Sequence, residues 1–522
     1  MRRGVRAAAT TVALGLLAVG CGGTGSGGAG GRDTITIGIT ADPGNLSPLT
    51  SLTKITSLLN RFSYDPLVNV EPDGKIVSGV AEKWTTDAVS ATFTLRRDVR
   101  CGDGRPLTAS AVAAQYNYIL DPKNTSPLLG LAVTPGTVAT ADDATNTLTL
   151  RTPEPTPFLL RGTSGLPLVC PSALASPDSL THATDGTGPY RLTESAPGDH
   201  FTFTRRPDYI WGPNGVGAAE LPERLVFKVV SNESTTANLL LAKQIDIAAV
   251  NGADRVRLTA AGLKYRIQRD PLGMLLFNEA ANHVTADPQV RWALTAALDL
   301  KQLGAVATGG KGAPPARIAT TMLPPCQADA VTGNLPPHDK ARAAAALRAA
   351  GWEKSGGRWT KDGRQLSIVL PFPSTSGSQV VSAVELAVAQ WNSFGVKVTR
   401  KPLTSATTGE VLASGEWDVS WTPVALTQPD QLIPFFSGPP GPDGINFGSV
   451  DNPEYQRLVG LAMAKPDLSG CDEWTAAEAE LVKRVDVVTF VDSLSPYFNT
   501  KGTTFAIDGA GIVPTSLRRG RG

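Results

Sequence analysis

Apolar and polar positions alternate along this chain in short runs, and each run predicts a half-buried strand. In Thr34-Ile35-Thr36-Ile37-Gly38-Ile39 the three isoleucines share one face. In Thr92-Phe93-Thr94-Leu95-Arg96 the apolar face is Phe93 and Leu95. The same period recurs over 146–151 and 201–205, while 225–230 and Gly273-Met274-Leu275-Leu276-Phe277-Asn278 are nearly all apolar and read as buried strands. A hairpin is expected over 358–366 around Asp362-Gly363, a further strand over 417–421, and a return of the chain through 487–505.

Helical spacing lies between these runs. Thr108 is placed to cap a helix over 109–119 that buries Val112, Tyr116 and Ile119. Asn232 would cap 233–243, and Asp287 would cap a helix with Pro288 at its first position and Val290, Leu294, Ala297 and Leu298 as its stripe. Further helices are expected over 339–350, closed by Gly351, over 378–394, stopped by Gly395, and over 473–485. Pro72-Asp73-Gly74-Lys75 and Cys101-Gly102-Asp103-Gly104 are turns, since Pro presets φ and Gly accepts positive φ. Strands interleaved with helices argue for α/β layers.

The wording and order of these segments say more than their periods. Tyr64-Asp65-Pro66-Leu67-Val68, Pro72-Asp73-Gly74-Lys75, Ala81-Glu82-Lys83-Trp84, Thr92 to Arg96 and Asp103-Gly104-Arg105-Pro106-Leu107-Thr108-Ala109 follow one another. Gly186-Thr187-Gly188-Pro189-Tyr190-Arg191-Leu192, Arg206-Pro207-Asp208-Tyr209 and Asp287-Pro288-Gln289-Val290-Arg291-Trp292-Ala293-Leu294 come later. Together they resemble the family 5 solute-binding proteins of peptide-type ABC importers. The resemblance implies an α/β, two-lobed periplasmic-binding-protein-like fold (class II, cluster C type) with an extra subdomain in the first lobe. It places lobe I at 33–272, completed by 490–522, and lobe II at 273–489, with Met274 on a strand crossing the first of two hinges.

What the resemblance implies about function is capture of a small solute, foremost a di- or oligopeptide, by hinge closure, and its delivery to permease subunits. Receptors for sugars, glutathione or metal chelates share the pattern and stay open as alternatives. Asn45, in the loop 41–48, is expected at the mouth of the cleft. Trp421, Thr422, Pro423 and Val424, running on to Gln428 and Asp430, match the family's Trp-containing ligand loop. Peptide receptors of the family carry an Asp three residues after that Trp, where it meets the peptide's ammonium group; here the position is Val424. A buried ammonium without a carboxylate costs several kcal/mol. Asp430 or Asp42 must therefore substitute, or the ligand has no free amino terminus.

Composition narrows the classes. The 41% hydrophobic content supports a large folded chain, and a formal charge of +1 favours neither nucleic acid nor an anionic surface as partner. Arg2, Arg3 and Arg6 precede an apolar run of roughly 14 residues, too short to span a bilayer comfortably. It ends in Leu17-Ala18-Val19-Gly20-Cys21, which looks like a lipobox with Ala18 where Leu is usual. Residues 1–21 thus read as a lipoprotein signal peptide with Cys21 as the lipidation site. Residues 22–32 read as a Gly-rich tether that leaves the protein lipid-anchored outside the cell membrane.

Cys101, Cys170, Cys326 and Cys471 remain, an even number that favours disulfides in an exported chain. Three pairings are possible; with the lobes implied above, 101–170 and 326–471 leave the hinge free. No CxxC spacing supports a metal site, and His182, His200, His283 and His338 are scattered. Gly162-Thr163-Ser164-Gly165 is not a nucleophile elbow, and Gly309-Gly310-Lys311-Gly312 lacks the spacing of a phosphate loop. A lipoprotein hydrolase is the rival class, without a nucleophile–base pair to carry it. The expectation is a monomeric receptor with no cofactor and no enzymatic activity.

Overall fold

A computed structural model describes residues 33–520 apart from 52, 72, 319–324, 375, 405–406 and 442. The signal peptide, the tether, Cys21 and Pro72 of the first turn therefore lie outside the described residues.

The alternating runs form one large sheet. Its strands, in chain order, are β1 (Thr34–Ile39), β2 (Tyr190–Ala196), β3 (His200–Arg205), β4 (Arg224–Val229), β5 (Ile247–Ala249), β6 (Lys264–Phe277), β7 (Val419–Trp421) and β8 (Val487–Asn499). Their spatial order is β7-β6-β8-β5-β1-β4-β3-β2. β1 runs parallel to both β4 and β5, with Ile37 beside Phe227 and Ile247. The expected alternation is realised in β1, whose isoleucines are buried while Thr34, Thr36 and Gly38 are only partly so.

β6 and β8 decide the architecture. They pair antiparallel from Lys264 opposite Asn499 to Leu276 opposite Val487, with register shifts at Pro271, Gly273 and Met274. One end of this ribbon joins β5 and the other joins β7. The packed cores divide accordingly. One gathers side chains from Ile35 to Ile247 together with Phe505, Ile507, Ile512 and Leu517. Two others draw on residues from Met274 to Val491, with Phe158 as the single addition from earlier in the chain. The fold is two-lobed α/β, as the resemblance implies. An extra four-stranded sheet made of Ala81–Thr86, Ser90–Leu95, Val138–Asp142 and Thr147–Arg151 joins the first core.

The recurring motifs meet inside the first lobe. Asp65, buried, accepts hydrogen bonds from the Tyr209 hydroxyl (3.1 Å) and the Trp211 indole (2.9 Å). Burial pushes its carboxyl up to about 6 against those two donors. Arg206 donates to the carbonyls of Gly186 and Cys101, both at 3.1 Å. Gly186 and Gly188 are obligatory here, since a Cβ on either would come within 2.5 Å of Ser63 or Tyr64. Much of the wording shared with the family is thus packing chemistry rather than ligand chemistry.

Helices start at the caps visible in the sequence. Thr108 accepts from Ala111 N–H ahead of Ala109–Leu120, Asn232 caps Glu233–Leu241, and Asp287 caps Pro288–Ala296. Two expectations are corrected. The helix expected over 473–485 runs Cys471–Lys483, and Val485 lies past its end at φ +61°. The strand over 417–421 begins only at Val419, because the Asp418 carboxylate turns to bind the Val369 N–H (2.7 Å) and His283 (2.9 Å). Helices Lys54–Ser63 and Pro453–Met463 were not expected.

The cysteines pair as preferred, Cys101 with Cys170 and Cys326 with Cys471. Each bridge lies within one lobe. Among the described residues no helix is long and apolar enough to cross a membrane.

Candidate functional site

β7 delivers the chain into the segment 421–432. Trp421 is fully buried; its indole donates to the Leu272 carbonyl (3.0 Å) and meets Phe490 edge-on at 5.2 Å. Leu272 of β6 and Phe490 of β8 are the positions that the pairing skips at the register shift, so the Trp sits against the crossing ribbon. Met274, also fully buried, lies next to that shift in the same core as Trp417 and Leu432. Thr422 shares a hydrogen bond with Ser420 (2.5 Å), which fixes the exit from the strand. Pro423 and Val424 follow, partly buried, with Val424 packed against the second lobe's core.

The segment then closes on itself. Gln428 precedes a short turn of helix, Pro429–Leu432, and the Gln431 side-chain oxygen accepts from the N–H groups of Thr427 (2.9 Å) and Gln428 (3.2 Å). The amide nitrogen of Gln431 donates to the Leu131 carbonyl of the first lobe (3.2 Å). Gln431 therefore ties the Trp-containing segment to the opposite lobe. Sequence reasoning missed it, since nothing in a surface-type residue next to Asp430 signals a contact 300 positions away.

Asp430 is unusual in this setting. Its Oδ1 is buried with no hydrogen-bond partner among the described residues. Burial pushes the carboxyl up to about 7, opposed by N–H groups of the turn. The nearby Tyr455 hydroxyl is likewise buried without a partner among the described residues, and burial, with Glu478 and Asp430 adding to it, holds it protonated. Asn45, by contrast, spends its side chain on its own loop: Oδ1 accepts from Ser47 N–H (2.8 Å) and Nδ2 donates to Thr50 (3.1 Å). The Asn45 carbonyl takes the Thr56 hydroxyl at 2.7 Å, so the loop is rigidly fastened to the next helix. Asp42 binds the N–H groups of Gly44 (2.7 Å) and Gly198 (2.5 Å) and is already engaged.

A two-lobed sheet joined by a crossing ribbon, with a Trp-led segment against that ribbon, is an architecture for enclosing a solute. The model of the bacterial extracellular solute-binding proteins, family 5 (middle), matches residues 75–442. The chain belongs to this family. As a family 5 solute-binding protein it is an extracytoplasmic receptor serving an ABC importer, and the members it resembles are binding proteins rather than enzymes. Protein XP55 of Streptomyces lividans is 30% identical over 389 residues, 71% of this chain and 68% of that protein. The nickel-binding periplasmic protein of Escherichia coli K12 is 28% identical over 379 residues, 69% of this chain and 70% of that one. Among solved structures, a substrate-binding protein from Microbacterium hydrocarbonoxydans in complex with 4-hydroxybenzoate hydrazide superposes with a TM-score of 0.75 at 26% identity. It covers 93% of this receptor and 100% of its own chain.

Proposed function

We propose that this receptor captures a di- or oligopeptide between lobe I (33–272 with 490–522) and lobe II (273–489) and hands it to the permease. Thr422, Pro423, Val424, Gln428 and Asp430 form the ligand wall on lobe II, Trp421 and Met274 back it from the core, and Asn45 holds the facing loop. The carrying observation is Asp430: a buried carboxyl oxygen without a partner, in the segment that already reaches the first lobe through Gln431. A ligand ammonium supplies the missing partner, which Val424 does not.

This reading fixes a pH dependence. With its carboxyl near 7, Asp430 is mostly protonated at pH 5, and pairing with an ammonium must first release that proton. Affinity for peptides with free amino termini should then rise from pH 5 to 7, approaching tenfold per unit, and level off above. Asp430→Asn should weaken binding by roughly 2–5 kcal/mol and abolish the slope. N-acetylated peptides should show neither effect. Calorimetry of both proteins against a di- to pentapeptide pool at pH 5 to 8 is the test; no binding by any free peptide ends the peptide reading.

The second reading is a neutral ligand. Its support is Val424, an apolar side chain where an ammonium-binding carboxylate is expected, together with the uncharged hydrazide bound by the Microbacterium protein. Under it, Asp430→Asn leaves affinity unchanged and Val424→Asp disrupts binding. Native mass spectrometry of protein purified without denaturation identifies a retained ligand under either reading.

A further inference from the structure

Two neighbouring residues part company at position 158. Leu159 is buried in the core of the first lobe, whereas Phe158, only 1% exposed, is buried in a core of the second. There its ring lies 6.1 Å from that of Trp474. Just beyond, Arg161 is anchored to its own lobe through Nη1, which donates to the Gly74 carbonyl (2.8 Å). Its Nε reaches across to Asp467 Oδ1 at 2.7 Å. The Asp467 N–H completes the contact on the Pro157 carbonyl (3.0 Å). Asp467 holds an uncommon left-handed conformation, φ +43°, at the start of a short helical turn that leads directly to the bridged Cys471.

The geometry points to a catch: 157–161 of lobe I plugs into 467–474 of lobe II and holds the lobes together by contacts that involve no residue of the ligand wall. This rests on hinge closure as the mode of capture. Two parts of the catch differ in strength. The Arg161–Asp467 pair is half-exposed on the aspartate side (44%) and weak alone, but it sets the approach. Phe158 dominates, since opening the lobes returns its ring to water. Burial of a Phe side chain is large enough to shift a closed-to-open ratio roughly 10- to 100-fold. Neither residue lies on β6 or β8, so the catch acts on the equilibrium and not on the hinge itself.

Small-angle X-ray scattering of the intact mature protein tests this without knowledge of the ligand. Bound small molecules are first removed by unfolding in guanidinium with the disulfides kept, then refolding. The unmodified protein should give a compact radius of gyration, Phe158→Ser an expanded one, and Phe158→Leu one near the unmodified value. Asp467→Asn, whose half-exposed side chain keeps its backbone contact, should expand the protein partially and covers the case in which Phe158→Ser fails to fold. An expanded unmodified protein, or Asp467→Asn and a folded Phe158→Ser both as compact as the parent, overturns the catch. Peptide binding does not enter these measurements, so failure of the peptide reading leaves them standing.

Discussion

Asp430 and Arg291 place buried charge in the second lobe under different conditions. Asp430 has no cation partner among the described residues, and its raised carboxyl fixes the sign of a stability effect. The group contributes fully below the unfolded-state value near 4, and its contribution is lost as pH rises through about 7. Asp430→Asn removes that loss, so urea denaturation should find the variant more stable than the parent by on the order of 2 kcal/mol at pH 8, with the gap shrinking toward pH 5. Arg291 is the opposite case. It is fully buried and donates to Asp486 (3.1 Å) and to the carbonyls of Val485 and Thr285, with Glu279 at 3.1 Å. Burial and the adjacent Asp486 push the Glu279 carboxyl upward, so the arginine is what makes two neighbouring carboxylates tolerable. Arg291→Met should cost about 3–5 kcal/mol in the same measurement, because it strands charge rather than removing a pair.

At the scale of elements, the disulfides close stretches of 69 and 145 residues, and both restrict the unfolded chain. Replacing Cys326 and Cys471 by Ser should lower stability by about 2–5 kcal/mol, read from denaturation curves without reductant. These pairings were legible because the resemblance supplied lobes and the lobes supplied a reason to pair within them. Capped helices were legible as well, since Thr108, Asn232 and Asp287 announce themselves by side-chain chemistry. Lys54–Ser63 was equally readable, with Thr53 as cap ahead of Ile55, Leu58, Leu59 and Phe62 at helical spacing, and was overlooked. Pro453–Met463 carried a readable signal, an Asn452-Pro453-Glu454 start before Tyr455, Val459 and Ala462, and was overlooked. Of the site, the Trp-led segment was visible as a motif. Its tie through Gln431, the catch at Phe158 and the isolation of Asp430 depend on contacts between distant positions and leave no local trace.

For the whole molecule, attachment to the envelope is the remaining expectation. The lipobox-like end at Cys21 and the Gly-rich stretch to 32 support a lipid anchor on a flexible tether. Cys21→Ser should move the protein from sedimenting membranes to the soluble envelope fraction or the medium, as followed by immunoblotting; continued sedimentation rejects the anchor. The ribbon of β6 and β8 carries a mechanical consequence. Two strands laddered along their length resist stretching and sliding, because either would break hydrogen bonds in series, while twisting and bending leave those bonds intact. The softest stretch is the one where the ladder loses register, at Pro271, Gly273 and Met274. Pro271 lacks a donor there, and Gly273 has no room for a side chain beside Phe490 and Val491. The two halves are therefore coupled as if by a torsion bar: a push on either one arrives at the other as rotation about these few residues, with almost no change in the distance between their ends.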